Sequence, residues 1–191
     1  SSKEELEKAL AVIEKGGWDE FKSRYQNEFD FTFDENRADW RFVIPLPKDF
    51  SVLDLGAGMG RISIPLARVA KRVVALDQSD LRIQFLKKRA EKEELKNIET
   101  YVGDIFDSKF PKESFDLIVM NGLLEWVGAT DRFRNPREAQ IESLRICKNL
   151  LKKGGYLYIG IENRLALSYL RGVDHSGFYF TSYMPRFIAN L

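Results

Sequence analysis

The feature that most constrains this chain is a set of glycines directly after a short apolar run. Val52-Leu53-Asp54-Leu55 leads into Gly56-Ala57-Gly58-Met59-Gly60. The apolar run is typical of a buried strand. Glycine permits a sharp turn from a strand into a helix and lets a ligand approach the backbone closely. Any sharp turn favours glycine, so these residues could form a turn alone or a loop that binds a ligand. The rest of the sequence is needed to distinguish the two.

From Ser51 onward, short apolar runs alternate with stretches of helical periodicity. The runs cover residues 52–55, 73–76, 98–102, 115–120 and 156–161, and the helical stretches cover 61–70, 79–95 and 136–153. This alternation predicts an α/β fold with a doubly wound, mostly parallel sheet covered by helices on both faces. Lys152, Lys153 and Gly154 are expected to end the last helix. Cys147 lies on its apolar stripe and is predicted to be a core residue, not a nucleophile.

Residues 1–50 differ in character from the rest. Leu6, Leu10 and Ile13 recur at helical spacing, and Gly16-Gly17 is expected to end that helix. Aromatic side chains then crowd residues 18–42. We predict an N-terminal helical, aromatic-rich extension or lid over residues 1–50, followed by an α/β domain over residues 51–191.

The composition of the chain bears on the partners that it can bind and on its location in the cell. The chain has 30 basic and 29 acidic residues, a formal net charge of +1, so it offers no electrostatic footprint for nucleic acid or an anionic membrane. Charge runs such as Lys87-Lys88-Arg89 are expected to be solvated. A single cysteine excludes an internal disulfide, and no apolar run approaches the ~20 residues of a membrane span. We therefore predict a cytoplasmic protein with no nucleic-acid or membrane partner.

The spacing of the glycines bears on the ligand. Dinucleotide sites use G-x-G-x-x-G, whereas this loop is G-x-G-x-G with Arg61 where the third dinucleotide glycine would stand. Asp54 precedes the first glycine by two positions. A carboxylate there would repel a pyrophosphate but could hold an ammonium group, directly or through water. This favours a ligand with a cationic amino group.

Two further acidic residues follow the next strands. Asp77 ends the second predicted strand, 21 residues after Gly56, where a carboxylate can accept hydrogen bonds from two ribose hydroxyls. Asp104 follows the third strand, where a carboxylate can accept from an exocyclic amine beside the apolar Ile105. All these positions lie at the carboxyl ends of parallel strands, where such sheets bind ligands. An amine, a ribose and an adenine together describe S-adenosylmethionine (SAM).

The segments VLDLGAGMG, VVALDQS, VGDIFD and FDLIVMNGLLEWV resemble the successive motifs of the class I SAM-dependent methyltransferases, over about residues 50–162. The resemblance implies methyl transfer from SAM to oxygen, nitrogen or carbon of a small-molecule acceptor. The residues that it implies for the cofactor are Asp54, Gly56, Ala57 and Gly58 around the methionine part, Asp77 and Gln78 at the ribose, Asp104 and Ile105 at the adenine, and Asn121 beside the sulfonium.

Candidates for a general base follow the later strands. A base is needed only if the acceptor must lose a proton. His175, the single histidine, is a candidate because it titrates near neutral pH, although it could also be an ordinary loop residue. Glu125 and Glu162 are rivals. No Cys/His cluster has the spacing of a metal site, so no metal is predicted.

Two functional alternatives remain open from the sequence. The chain could be a SAM-binding module without catalysis, regulatory or supporting a partner subunit. A nicotinamide-dependent oxidoreductase is disfavoured by the glycine spacing and by Asp54.

The sheet of the class I methyltransferases normally has seven strands, and only five are recognisable here. We therefore expect the final β-hairpin to be missing and the exposed sheet edge to permit self-association.

Overall fold

The computed structural model describes residues 2–128 and 132–161. His175 and Glu162 lie outside the described residues. The helices are α1 (Lys3–Phe33), α2 (Ser63–Ala67), α3 (Asp80–Lys92) and α4 (Pro136–Leu150). The strands are β1 (Ser51–Leu55), β2 (Arg72–Asp77), β3 (Ile98–Val102), β4 (Phe115–Asn121) and β5 (Leu151–Gly160). Two 3₁₀ segments cover Glu35–Phe42 and Ile105–Asp107.

The strands form one sheet in the order β3-β2-β1-β4-β5. The pairs β1–β2, β2–β3 and β1–β4 run parallel, with Val52 opposite Val73 on one side and Leu117 on the other. All five residues of β1 are buried, as expected for the central strand. The predicted doubly wound α/β fold is confirmed. Self-association through a sheet edge stays a prediction, as does the domain boundary at residue 50.

Alternate residues of β1 face different helices. Val52 belongs to an apolar cluster with Leu66 of α2, whereas Leu53 belongs to a cluster with Cys147 and Leu150 of α4. This alternation follows from the two-residue period of a strand. Helices therefore cover both faces of the sheet, and the carboxyl ends of β1, β2 and β4 meet at one edge. Burial raises the pKa of the Cys147 thiol to about 12, so this cysteine is an inert core residue, as predicted.

The N-terminal helix begins with a capping box and continues further than predicted. Glu5 N donates to Ser2 Oγ at 3.2 Å, and Ser2 N donates to Glu5 Oε2 at 2.7 Å. Gly17 has φ +75° and kinks the helix there instead of ending it. Beyond the kink, Phe21 and Phe29 are fully buried against Phe85 of α3. This packing holds the second half in helical conformation.

The predicted end of α4 was wrong. The helix ends at Leu150, and β5 starts at Leu151, five residues before the predicted strand at Tyr156. Lys152 was expected to complement the helix dipole. It lies in the strand instead, with its Nζ 2.8 Å from Asp116 Oδ2. Gly154 is likewise a strand residue, with φ +81°.

Residues up to Ile159 form one compact unit. In the part of the chain that the structure describes, every helix is too short or too polar to cross a membrane. Among those same residues, no group of three or more His, Cys, Asp or Glu side chains could hold a metal ion.

Candidate functional site

The glycine segment after β1 is a tight loop attached to the end of β2. Gly56, Gly58 and Gly60 have φ of +71°, +54° and +84°, a region that residues with a Cβ rarely adopt. The amides of Gly56 and Ala57 both donate to Leu76 O, at 2.8 and 3.1 Å. A Cβ on Gly58 would meet nothing closer than Gly56 O at 4.0 Å, so the space in front of this residue is open.

Asp77, the last residue of β2, is buried and fixed by this loop. Gly58 N donates to its Oδ2 at 2.8 Å, and Ser79 N donates to its Oδ1 at 2.9 Å. A carboxylate oxygen accepts more than one hydrogen bond, so both oxygens keep capacity for a ligand hydroxyl. The structure therefore brings two of the predicted site residues, Gly58 and Asp77, into direct contact.

Asp104 is linked to the end of β2, where Asp77 lies, through Gln78. Gln78 Nε2 donates to Asp104 Oδ2 at 2.8 Å, and Phe106 N donates to Asp104 Oδ1 at 3.0 Å. Gly103 N donates to Asp77 O at 2.9 Å, which ties the end of β3 to the end of β2. Ile105 is buried directly beside this turn. Gln78, Asp104 and Ile105 thus lie at one edge of the sheet, and their contacts with ribose and adenine stay a prediction.

Asp54 lies deeper than the other carboxylates. It is 2% exposed in β1 and accepts a hydrogen bond of 2.6 Å from Ser63 Oγ. Burial raises its pKa to about 7, and the charge of Asp77 adds to this, while the Ser63 hydrogen bond acts in the opposite direction. Sequence reasoning missed Ser63. The signal was a hydroxyl residue at the start of the helix that follows the glycine loop.

The loop after β4 borders the glycine loop. Asn121 ends the strand half-buried, and Leu123 Cδ1 lies 3.0 Å from the position of a Cβ on Gly56. Both carboxylate oxygens of Glu125 are shielded from solvent, and neither accepts a hydrogen bond from the residues that the structure describes. A shielded carboxylate without a partner in the described chain is a group that a cationic or hydrogen-bonding ligand could satisfy.

The chain matches the model of a methyltransferase domain family over residues 46–170, which is more than half of its length. It belongs to that family. Its parallel sheet with helices on both faces is the fold of the class I SAM-dependent methyltransferases.

Its relatives act on different acceptors. The chain is 27% identical over 171 residues to phosphoethanolamine N-methyltransferase 1 of Caenorhabditis elegans, covering 83% of this chain and 34% of that protein. It is 38% identical over 71 residues to a probable ribosomal RNA small subunit methyltransferase A of Methanosphaera stadtmanae, covering 37% of this chain and 26% of that protein. The chain thus spans only about a quarter to a third of the length of these relatives.

Among solved structures, Haemonchus contortus phosphoethanolamine N-methyltransferase 1, in complex with phosphoethanolamine and S-adenosylhomocysteine (SAH), has the same fold. The TM-score is 0.57 at 24% identity, over 82% of this chain and 31% of that one.

The cofactor of this chain is SAM, and the residues present fit it. The open space at Gly58 and the carboxylate of Asp77, which keeps acceptor capacity, fit a ribose beside the glycine loop. Membership of the methyltransferase domain family removes the nicotinamide-dependent oxidoreductase as an alternative.

Proposed function

We propose that this chain transfers a methyl group from SAM to a small-molecule acceptor. The observation that carries the proposal is the contact between Gly58 N and Asp77 Oδ2, at 2.8 Å. This contact joins the glycine loop to the carboxylate that would hold the ribose. A ligand that contacts both would place hydroxyl groups at Asp77 next to the part that lies along the loop, which is how SAM would present its ribose.

The chemistry supplied by the bound cofactor is a methyl group on a positive sulfur. The acceptor atom would take this methyl group, and the electron pair of the carbon–sulfur bond would stay with sulfur. The residues of the chain bind and orient the reactants for this step. Asp77 would accept from the ribose hydroxyls, with Gln78 beside it. Asp54 would face the ammonium of the methionine part.

The remaining cofactor contacts would come from the ends of β3 and β4. Asp104 would accept from the exocyclic amine of adenine, and Ile105 would lie against the ring. Asn121 would lie beside the sulfonium. Gly56 and Ala57 would line the methionine part through their backbone, which the bonds to Leu76 O hold in place.

Where the acceptor must lose a proton, we propose Glu125 as the base among the described residues. Its support is the pair of shielded oxygens that accept no hydrogen bond from the rest of the described chain. A base needs such capacity within reach of the acceptor's proton. His175 remains a second proposal, outside the described residues.

The small-molecule acceptor is favoured over RNA by charge. The net charge of +1 offers no excess of cations for a phosphate backbone. Arg68, Arg72 and Arg132 are also engaged by carboxylates. We further propose a cytoplasmic location, which the single cysteine supports.

The test of cofactor binding is calorimetry with SAH. Replacing Asp77 by Ala removes two charge-assisted acceptors of the ribose, roughly 2–4 kcal/mol together, so SAH affinity should fall about 30-fold or more. Asp116→Ala is a matched control, since this aspartate contacts Ser51 and Lys152 away from the loop. Unchanged affinity in a folded Asp77→Ala variant would remove this residue from the site.

The test of acceptor class is transfer of labelled methyl from SAM to phosphoethanolamine, other small amines and phenols, and a ribosomal RNA fragment. We expect label on a small molecule and a large loss of kcat in Glu125→Gln. Glu138→Gln, at the exposed start of α4, is the control. SAH binding without transfer to any acceptor would favour the non-catalytic module instead, and label on RNA alone would overturn the small-molecule acceptor.

A further inference from the structure

The end of α1 contacts the glycine loop through Arg61. This arginine follows Gly60 directly, and its Nε donates to Asp34 O at 2.6 Å. Its Nη2 also donates to the Asp34 carboxylate. The residue that replaces the third dinucleotide glycine therefore joins the loop to the N-terminal segment.

A second arginine makes a parallel connection from α3. Arg89 was expected to be solvated, but it is 2% exposed. Its Nη1 donates to Thr32 O at 3.0 Å and to Met59 O at 2.9 Å. Thr32 O is one of the last carbonyls of α1, which have no partner inside the helix. One guanidinium nitrogen thus satisfies the end of α1 and the backbone of the glycine loop together.

The charge of Arg89 is stabilised mainly by these carbonyls and by an aromatic face. Its guanidinium carbon lies 4.8 Å from the centre of the Phe33 ring. No carboxylate in the described residues forms an ion pair with it. Burial lowers the pKa of Arg89 to about 10, so it remains a cation at neutral pH. A buried cation needs its hydrogen bonds, which makes this junction sensitive to substitution.

Both residues that flank Gly60 are therefore linked to Thr32–Asp34. The carbonyl of Met59 accepts from Arg89, which also donates to Thr32 O, and Thr32 Oγ1 lies 4.0 Å from the Met59 sulfur. Arg61 is held through its side chain. Glycine-rich loops lose much conformational freedom when they become ordered. A loop already fixed on both sides of Gly60 loses less of that freedom on binding a ligand.

We propose that Thr32–Asp34 at the end of α1 supports the cofactor loop, and that Arg61 and Arg89 are positioning residues for SAM binding. This inference rests on the proposed function, because it takes the glycine loop as the SAM site. It gives the N-terminal extension a role in the cofactor site itself, apart from any role as a lid over the acceptor.

The neighbouring ion pairs offer a matched control. Glu35 follows Asp34 and contacts Arg68 at 2.6 Å, and Arg68 also contacts Glu93 at 2.5 Å. These contacts join the same segment to α2 and α3 but involve no residue of the glycine loop. Loss of the Arg68 contacts would loosen the N-terminal segment without releasing the loop.

The experiment compares Asp34→Asn and Arg61→Gln with Glu35→Gln and Arg68→Gln in the full 191-residue chain. SAH affinity by calorimetry should fall about fivefold or more in the first pair and less than about twofold in the second. In the first pair KM for SAM should rise with little change in kcat. Arg61→Lys keeps a cation near Asp34 and should recover part of the affinity.

Hydrogen exchange of the ligand-free chain gives a readout that does not depend on SAM. The amides of Gly56, Ala57, Gly58 and Gly60 donate within the loop and to β2, so they should be protected in the wild type. Their protection should fall in Arg61→Gln and persist in Arg68→Gln. Arg89→Lys, which keeps the charge but not the fork of donors, should also lower it.

The outcomes separate the two proposals. Failure of the wild-type chain to bind SAH would contradict the proposed function. Hydrogen exchange of the glycine loop would still test whether Thr32–Asp34 supports that loop. Unchanged affinity and unchanged loop exchange in folded Arg61→Gln would overturn the support. An equal loss in the Glu35 and Arg68 variants would overturn it as well, because it would assign the effect to the N-terminal segment as a whole.

Discussion

Asp54 and Asp77 lie close together at the ends of neighbouring strands, but their hydrogen bonds and their surroundings differ. Asp77 receives backbone hydrogen bonds on both oxygens, from Gly58 and Ser79. Asp54 receives one side-chain hydrogen bond, from Ser63, and is otherwise surrounded by the core. The two neighbouring carboxylates therefore have different environments, and burial favours the neutral form of Asp54.

The raised pKa of Asp54 predicts a pH dependence of stability. Its pKa is about 7 in the folded chain, against an ordinary value of 3.8. Folding therefore favours the protonated acid, so its contribution is complete below about pH 4 and is lost as the pH rises through 7. We expect the free energy of unfolding to fall by on the order of 2 kcal/mol between pH 5 and pH 8 because of this group.

Asp54→Asn is the variant to compare with the wild type, because the amide keeps an acceptor for Ser63 and does not titrate. Urea unfolding of both chains across this pH range should show a difference in the free energy of unfolding that grows from pH 5 to about pH 7 and stays constant above that, with the variant the more stable. Parallel curves would show that Asp54 is ionised in the folded chain throughout the range.

Gly58 and Gly60 should respond differently to a methyl group. Both have positive φ, so alanine strains either backbone. At Gly60 the new Cβ would also lie 3.0 Å from Leu86 Cγ and 3.2 Å from Ile64 Cγ1, whereas at Gly58 the space is open. Gly60→Ala should therefore lose more stability, by about 1–3 kcal/mol beyond the backbone strain.

Gly58→Ala should instead lose more SAH affinity than stability, and Gly58→Val should abolish binding while most of the sheet stays folded. Denaturant unfolding and calorimetry on the same samples separate the two effects. Normal SAH binding by a Gly58→Val chain would mean that the loop is only a turn.

At the scale of elements, the aromatic side chains of α1 form one cluster around Phe85 of α3. The ring centres of Phe21 and Phe29 each lie 5.6 Å from that of Phe85, and the Trp18 ring lies 5.8 Å away. Aromatic pairs at such distances stabilise the fold beyond what the burial of apolar area contributes. The cluster fixes α1 on the α/β fold and so determines where Thr32–Asp34 meets the glycine loop.

This cluster predicts a clear difference between two phenylalanines of α1. Phe21 is fully buried, so Phe21→Ala should lower the free energy of unfolding by about 3–5 kcal/mol. Phe31 is 47% exposed on the same helix, and Phe31→Ala should change it by about 0.5 kcal/mol or less. Thermal or urea unfolding of both variants tests the assignment. Similar losses would mean that the cluster does not attach α1 to α3.

The strands were predictable from sequence because their signals are local. An apolar run such as Val73–Leu76 must be buried whatever its neighbours are. The continuation of α1 past Gly17 was not predictable, because it depends on Phe85, which lies far along the chain. The same holds for Lys152, whose place in β5 depends on Asp116. The candidate site residues follow the same division, since Asp77 ends one recognisable strand and Asp104 follows another, whereas the contacts of Arg61 and Arg89 are set only by tertiary packing.

At the scale of the whole molecule, positive charges are widely matched by negative ones. The formal net charge is +1. Arginines along the described chain contact carboxylates within it, namely Arg24, Arg41, Arg61, Arg68, Arg72, Arg132 and Arg145. A nucleic-acid surface requires cations that are free to replace the counterions of phosphates. These arginines are already engaged, so they provide little of that surface.

This balance predicts how the chain will respond to RNA and salt. Binding to a ribosomal RNA hairpin, followed by fluorescence anisotropy, should be weak at physiological salt, with Kd of about 10⁻⁵ M or higher. The slope of log K against log salt should be shallow, because few phosphates are neutralised. SAH affinity over the same salt series is the control, since buried Asp77 and Asp54 are screened little by ions. Tight RNA binding that weakens steeply with salt would require a cationic surface made by side chains other than these seven arginines, and it would move the acceptor from small molecules to RNA.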